Sequence, residues 1–402
     1  MNSPMLFQRV PLIMACLGLT ASVHGGERDS LIDTVSFHTV HRIEAEALPG
    51  AILHTNRFLK GANDEKRTMN HAFSARLKYA FMPPENSLQA RTYRGVYQGV
   101  GVAYNEYNPQ LGNPFSVFVF QGARIAAISS QLSFNYEWNL GLTFGWNPYN
   151  ETTNPDNKVI GSRNTAYLDA DFYLAWRLSR QIDVNIGATV SHYSNGNTKF
   201  PNAGLNTAGV RVGVAWYAGR HRKEDIPQLP MPAFTRHMSY DVMVFGAWRR
   251  RGFFTNEGAF AVPGKFAVAG FNAAAMYNIS HWFNAGLSLD GVYDHSANLQ
   301  LDSYLKYGVI DENIQPPTSE QMALGLSARG EFVMPWFSIN MGIGTNIINA
   351  SRDFKGIYEV LALKTSVTRH VYVNIGYCLK DFRVPNYLML GIGFRINNQR
   401  RF

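Results

Sequence analysis

The stretch Ile182-Asp183-Val184-Asn185-Ile186-Gly187-Ala188-Thr189-Val190-Ser191-His192-Tyr193-Ser194 alternates an oily row with a polar one. Ile182, Val184, Ile186, Ala188 and Val190 form the first row; Asp183, Asn185, Gly187, Thr189 and Ser191 form the second. A period of two belongs to a β-strand whose faces meet different surroundings. The pattern recurs at 168 to 178, where Asp169, Asp171 and Arg177 share the non-oily face. It recurs again at 336 to 346 and at 387 to 397. Acids and bases on one face with a continuous apolar row on the other invert the plan of a soluble sandwich. A closed barrel in lipid requires that inversion. The expected fold class is all-β, an antiparallel β-barrel of the outer membrane.

Composition agrees. Of 402 residues 46% are hydrophobic, only 16% are charged and 13% are aromatic, a mix suited to strands with aromatic belts. Beyond the N-terminus no apolar run reaches the roughly 20 residues a membrane-spanning helix needs, so helical membrane proteins are excluded. Residues 1–25 read as a signal peptide, with Arg9, an apolar run from Val10 to Val23, and small residues at Ala21, Val23 and Gly25. Cys16 lies inside that leader and leaves Cys378 alone, so neither a disulfide nor a Cys-based zinc site is available. The net charge of +8 suits a phosphate-bearing partner. Given the strand pattern, that partner is expected to be outer-membrane lipid and not nucleic acid. No phosphate-binding loop, His-Glu-x-x-His segment or EF-hand pattern occurs, and no cofactor or metal is expected.

Connections alternate between short turns, near 179–181, 279–281, 332–335 and 368–370, and long polar segments at 147–165, 250–265, 295–318 and 347–356. Short turns are periplasmic and long loops extracellular in this class. Eight strands are expected from about 238 onward and eight before 219, if the weakly patterned stretch near 33–45 is the first. Residues 179–187 repeat as 368–376 at an offset of 189, and Pro201-Asn202 is echoed by Pro385-Asn386, which points to an internal duplication. The Pro-rich run 219–237 reads as a periplasmic linker. The expected organisation is therefore two tandem eight-stranded barrels, 26–218 and 238–402, with one barrel of about 14–16 strands as the alternative. The terminal Phe402, after an amphipathic last strand, resembles the signal read by the outer-membrane insertion machinery, a second expected partner.

His192 and Ser194 continue the oily row of their strand, and Asn206 has the parity of the apolar row Val210, Val212, Val214, Trp216 in the next. Polar groups are expensive there, so their convergence on the outer side of two neighbouring strands suggests chemistry. The whole segment His192-Tyr193-Ser194-Asn195, followed by Pro201-Asn202-Ala203-Gly204, resembles the signature of the outer-membrane lipid A 3-O-deacylases, the PagL-type family, over about residues 33–218. The resemblance implies an eight-stranded barrel with Ser194 as nucleophile, His192 as general base and a third triad member at Asn206. It also implies Asn195 as a candidate oxyanion donor, with Asn202 and Lys199 as further candidates for oxyanion or substrate contacts. The family has a glutamate where this chain has Asn206. An amide can hold a histidine tautomer but cannot offset imidazolium charge.

The expected function is an outer-membrane esterase that removes an ester-linked acyl chain from lipid A, with lipopolysaccharide as substrate and partner. The alternative is a non-enzymatic barrel, a narrow pore or surface binding protein, that retains a degenerate site. At the offset of 189 the second half carries Asp381 and Arg383 in place of the His and Ser, so no second nucleophile is expected. The triplet Asp294-His295-Ser296 reads as polar loop surface.

Overall fold

The computed structural model describes residues 38–221, 230–254, 259–299, 316–382 and 384–399. The expected leader, the middle of the Pro-rich run, Arg383 and Phe402 lie outside them. Eight antiparallel strands close the first barrel: β1 (Val40–Ile52), β2 (His71–Met82), β3 (Tyr97–Glu106), β4 (Phe115–Ala127), β5 (Leu132–Phe144), β6 (Asn164–Arg177), β7 (Ile182–Ser194) and β8 (Leu205–Ala218). The closing seam joins β8 to β1, from His41 opposite Ala218 to Ile52 opposite Thr207. The chain continues through β9 (His237–Arg249) and a small hairpin, β10 (Gly252–Phe254) and β11 (Ala259–Ala261). The remaining strands are β12 (Phe266–Asn278), β13 (Phe283–Asp294), β14 (Met322–Val333), β15 (Phe337–Asn349), β16 (Ile357–Ser366), β17 (Val371–Lys380) and β18 (Val384–Ile396). They close a second barrel in which β18 pairs with β9. Because β8 bonds to β1, the single large barrel is ruled out.

Alternation sorts the side chains as the lipid environment demands. On β8, Val210, Val212, Val214 and Trp216 are exposed; on β7, Ile186 and Val190 are more than half exposed. The inward row of the first barrel is filled with charge. Arg42, Glu44 and Glu46 from β1, Arg76 and Lys78 from β2, Glu137 from β5, Asp169 and Asp171 from β6 and Arg211 from β8 are all buried. Lys78 Nζ lies 2.6 Å from Glu137, Arg76 lies 2.6 Å from Asp169 and 3.1 Å from Asp171, and Arg211 lies 3.0 Å from Asp171. Burying nine ionic groups is costly unless each is paired, so the strands are laced across the lumen. The second barrel has a smaller network, in which Lys364 and Arg395 each meet both Asp241 and Glu331 within 2.6–3.0 Å.

Two expectations need correction. The first described strand begins at Val40 and runs to Ile52, not from 33 to 45. Its inward residues are Arg42, Glu44 and Glu46, so no oily row marks the side that is buried. Asp294 and Ser296 are not surface polar residues: both are buried, and Asp294 accepts from Arg249 Nη1 at 2.7 Å and from Ser296 Oγ at 2.7 Å. Asp294, the last residue of β13, faces the lumen, and Ser296 lies in the turn just beyond it.

Candidate active site

β7 rises from the short turn 178–181, and its last inward residue fixes the site from behind. Tyr193 is buried, stacked on Tyr167 at 5.2 Å between ring centroids and edge-on to Trp146 at 5.2 Å. Its hydroxyl donates to Asn105 Oδ1 at 3.2 Å. With Tyr193 held inside, the pleat turns His192 and Ser194 to the outer face, about 6.7 Å apart along the strand. His192 stands opposite Leu168 of β6 and Asn206 of β8. Both His192 and Ser194 are half-buried.

His192 Nδ1 and Asn206 Oδ1 are 2.6 Å apart. An amide oxygen only accepts, so Nδ1 is the donor of this bond, and in the neutral ring the lone pair is then on Nε2. Nε2 has no hydrogen-bond partner among the described residues. Gly204, in the left-handed region at φ +76°, lies under the ring; a β-carbon there would meet His192 Cε1 at 2.9 Å. Ser194 Oγ accepts from Asn202 Nδ2 at 2.9 Å and from the Gly196 N–H at 3.1 Å. No hydrogen bond joins Ser194 to His192 in this resting arrangement.

Among the other residues anticipated, Asn202 stands at Ser194 while Asn195 does not. The Asn195 amide donates to Lys199 O at 3.0 Å, and its N–H to Asn202 Oδ1 at 3.1 Å, so Asn195 shapes the loop and orients Asn202. The Lys199 side chain is exposed. A loop amide is an expected donor, but spacing does not single out the Gly196 N–H, which is presented by a loop whose backbone takes positive φ at Gly196 and Asn197, +63° and +62°. The loop 195–204 is pinned to its neighbour: Ala203 N–H donates to Lys158 O and Gly204 N–H to Val159 O, each at 3.1 Å. A side chain at Gly161 would strike Pro201 O, so the two loops meet backbone to backbone. Partial burial holds the Lys158 ammonium below the usual lysine range, against the opposing pull of Asp156, and it lies 4.6 Å over the Tyr149 ring.

The second barrel shows what this loop adds. β7 and β17 begin 189 residues apart, at Ile182 and Val371, yet ten residues separate β7 from β8 and only three separate β17 from β18. Asp381, in the turn just past β17, has φ +52° and accepts the Ile357 N–H at 3.0 Å. A small cavity of about 30 Å³ opens in the second barrel between Asp290, Tyr358, Cys378 and Tyr387, but neither His192 nor Ser194 lines it.

Two family models match the chain, one described as lipid A 3-O-deacylase (PagL) over residues 69–215 and one as acyloxyacyl hydrolase, C-terminal domain, over residues 238–398. One falls on each barrel. Among solved structures, the outer membrane enzyme PagL is 16% identical, with 42% of this chain and 97% of that chain covered and a TM-score of 0.31. Neisserial surface protein A is 10% identical, with 44% and 96% covered and a TM-score of 0.29. At scores this low neither likeness bears on the site, and the fold rests on the strand ladders. No curated protein matches the chain.

Proposed function

Because the chain belongs to the lipid A 3-O-deacylase family, with a matching model on each of its barrels, we propose that it removes an ester-linked acyl chain from lipid A at the outer face of its first barrel. The observation that carries this reading is the hydrogen bond from His192 Nδ1 to Asn206 Oδ1, which leaves Nε2 as a base on the same outward row as Ser194. In an outer-membrane barrel that row faces lipid. Since β7 climbs from a short turn, its tip lies at the outer leaflet, where lipid A resides.

Nε2 takes the Ser194 proton as Oγ attacks the ester carbonyl, and a tetrahedral oxyanion forms. The two donors now on Oγ, Asn202 Nδ2 and the Gly196 N–H, are the nearest groups to stabilise that charge. Collapse returns the proton from His192 to the leaving alcohol and leaves an acyl-serine. Water, activated by the same histidine, releases the fatty acid. Contact between Ser194 Oγ and Nε2 forms once the substrate brings the groups together, as is common for catalytic pairs that are long in the resting enzyme. Mass spectrometry of lipid A from a host expressing the chain tests this. A mass loss equal to one acyl chain is expected with the unmodified protein and not with Ser194→Ala. Identical patterns for both and for the empty vector reject the reading.

A further inference from the structure

Three contacts bring the second barrel to the loop that carries Ser194. The Arg250 N–H donates to Asn197 O at 2.9 Å. A β-carbon on Gly196 would meet Leu388 of β18 at 2.9 Å, and one on Gly252 would run into the Phe200 ring. Asn197 is linked to the chemistry, because the Asn202 amide that donates to Ser194 Oγ also reaches Asn197 Oδ1 at 3.4 Å. The rim of one barrel thus abuts the site of the other.

Arg250 is the middle of the run Arg249-Arg250-Arg251. Arg249 is engaged by Asp294 and Asn386, each at 2.7 Å, and Arg251 by Asp353 and Ser296. Arg250 is half-buried and its guanidinium has no partner among the described residues, while its backbone N–H ties the residue to the loop at Asn197 O. A guanidinium offers a planar fork of donors matched to phosphate, and its charge stays on at any working pH. Lipid A is a phosphorylated glycolipid, so a substrate whose ester lies at Ser194 brings anionic groups to this rim.

We propose that Arg250 of the second barrel binds a phosphate of lipid A and thereby sets which glycolipids the first barrel accepts. This rests on the reading of Ser194 as an esterase nucleophile for its purpose, but not for its measurement. In the full chain carrying Ser194→Ala, binding in nanodiscs is compared for lipid A and for enzymatically dephosphorylated lipid A. A charge-assisted contact worth about 1.5–3 kcal/mol predicts a preference of about tenfold or more for the phosphorylated form. Arg250→Gln should abolish that preference, and Arg250→Lys, which keeps the charge, should restore part of it. An equal preference in Arg250→Gln and the parent, or none in the parent, overturns the proposal. In Ser194-bearing protein the same change should raise KM for phosphorylated lipid A more than it lowers kcat; the reverse split also counts against it. Absence of any hydrolysis there removes the esterase reading, while the binding comparison still decides the role of Arg250.

Discussion

At the scale of single residues the proposed triad turns on Asn206, which offers His192 an oxygen without a charge. In a related triad, exchanging the carboxylate for an amide costs about four orders of magnitude, partly because the amide holds the wrong tautomer. Here Oδ1 faces Nδ1, which suits the tautomer the proposed base needs, and the proposed triad lacks only a charged third member. Asn206→Glu is therefore expected to speed deacylation, by more than tenfold but within that bound of roughly 10⁴. Initial rates on purified lipid A in micelles measure it, and an unchanged rate means that imidazolium charge is not limiting. His192, Ser194 and Asn206 were legible in the sequence because strand parity is rigid: every second residue shares a face. The roles of Asn195 and Asn202 were not separable that way. They sit in a loop whose backbone enters the left-handed region at Gly196 and Asn197, and spacing does not encode which amide turns toward Ser194.

At the scale of elements, strands were readable where their buried side contrasts with the exposed one in oiliness, as on β7 and β8. β1 was placed too early because Arg42, Glu44 and Glu46 look like a surface and are in fact a core. That core makes a strong demand on its members. Arg76→Ala removes the cation paired with Asp169 and one of the two paired with Asp171, which keeps Arg211, so Asp169 is left buried with no ion pair among the described residues and with Asp171 close by. Loss of one member of a buried pair costs about 3–5 kcal/mol. Urea unfolding of the detergent-solubilised protein is expected to show that loss, with Arg57→Ala, at a loop position of the same barrel, as a surface control. A cost under about 1 kcal/mol would mean that water replaces the lost guanidinium at little expense.

At the scale of the whole molecule, two barrels of equal strand number differ in their loops: one carries the ten-residue loop that follows Ser194, the other abuts it through Arg250, Gly252 and Leu388. The duplicated stretch was visible in sequence, but the meeting of the halves was not, since it joins residues with no shared pattern. The ionic lacing inside each wall has one more consequence, for the cell that carries the protein. Lys78 and Arg211 close one lumen and Lys364 and Arg395 the other, each pinned between acids. A file of mobile ions crossing either lumen is expected to have to break those pairs among the described residues. Reconstituted in a planar bilayer, the chain should leave the baseline current flat under an applied voltage; stepwise ohmic currents would show an open water column. A flat trace would mean that a bacterium can crowd its surface with this protein and suffer no osmotic leak.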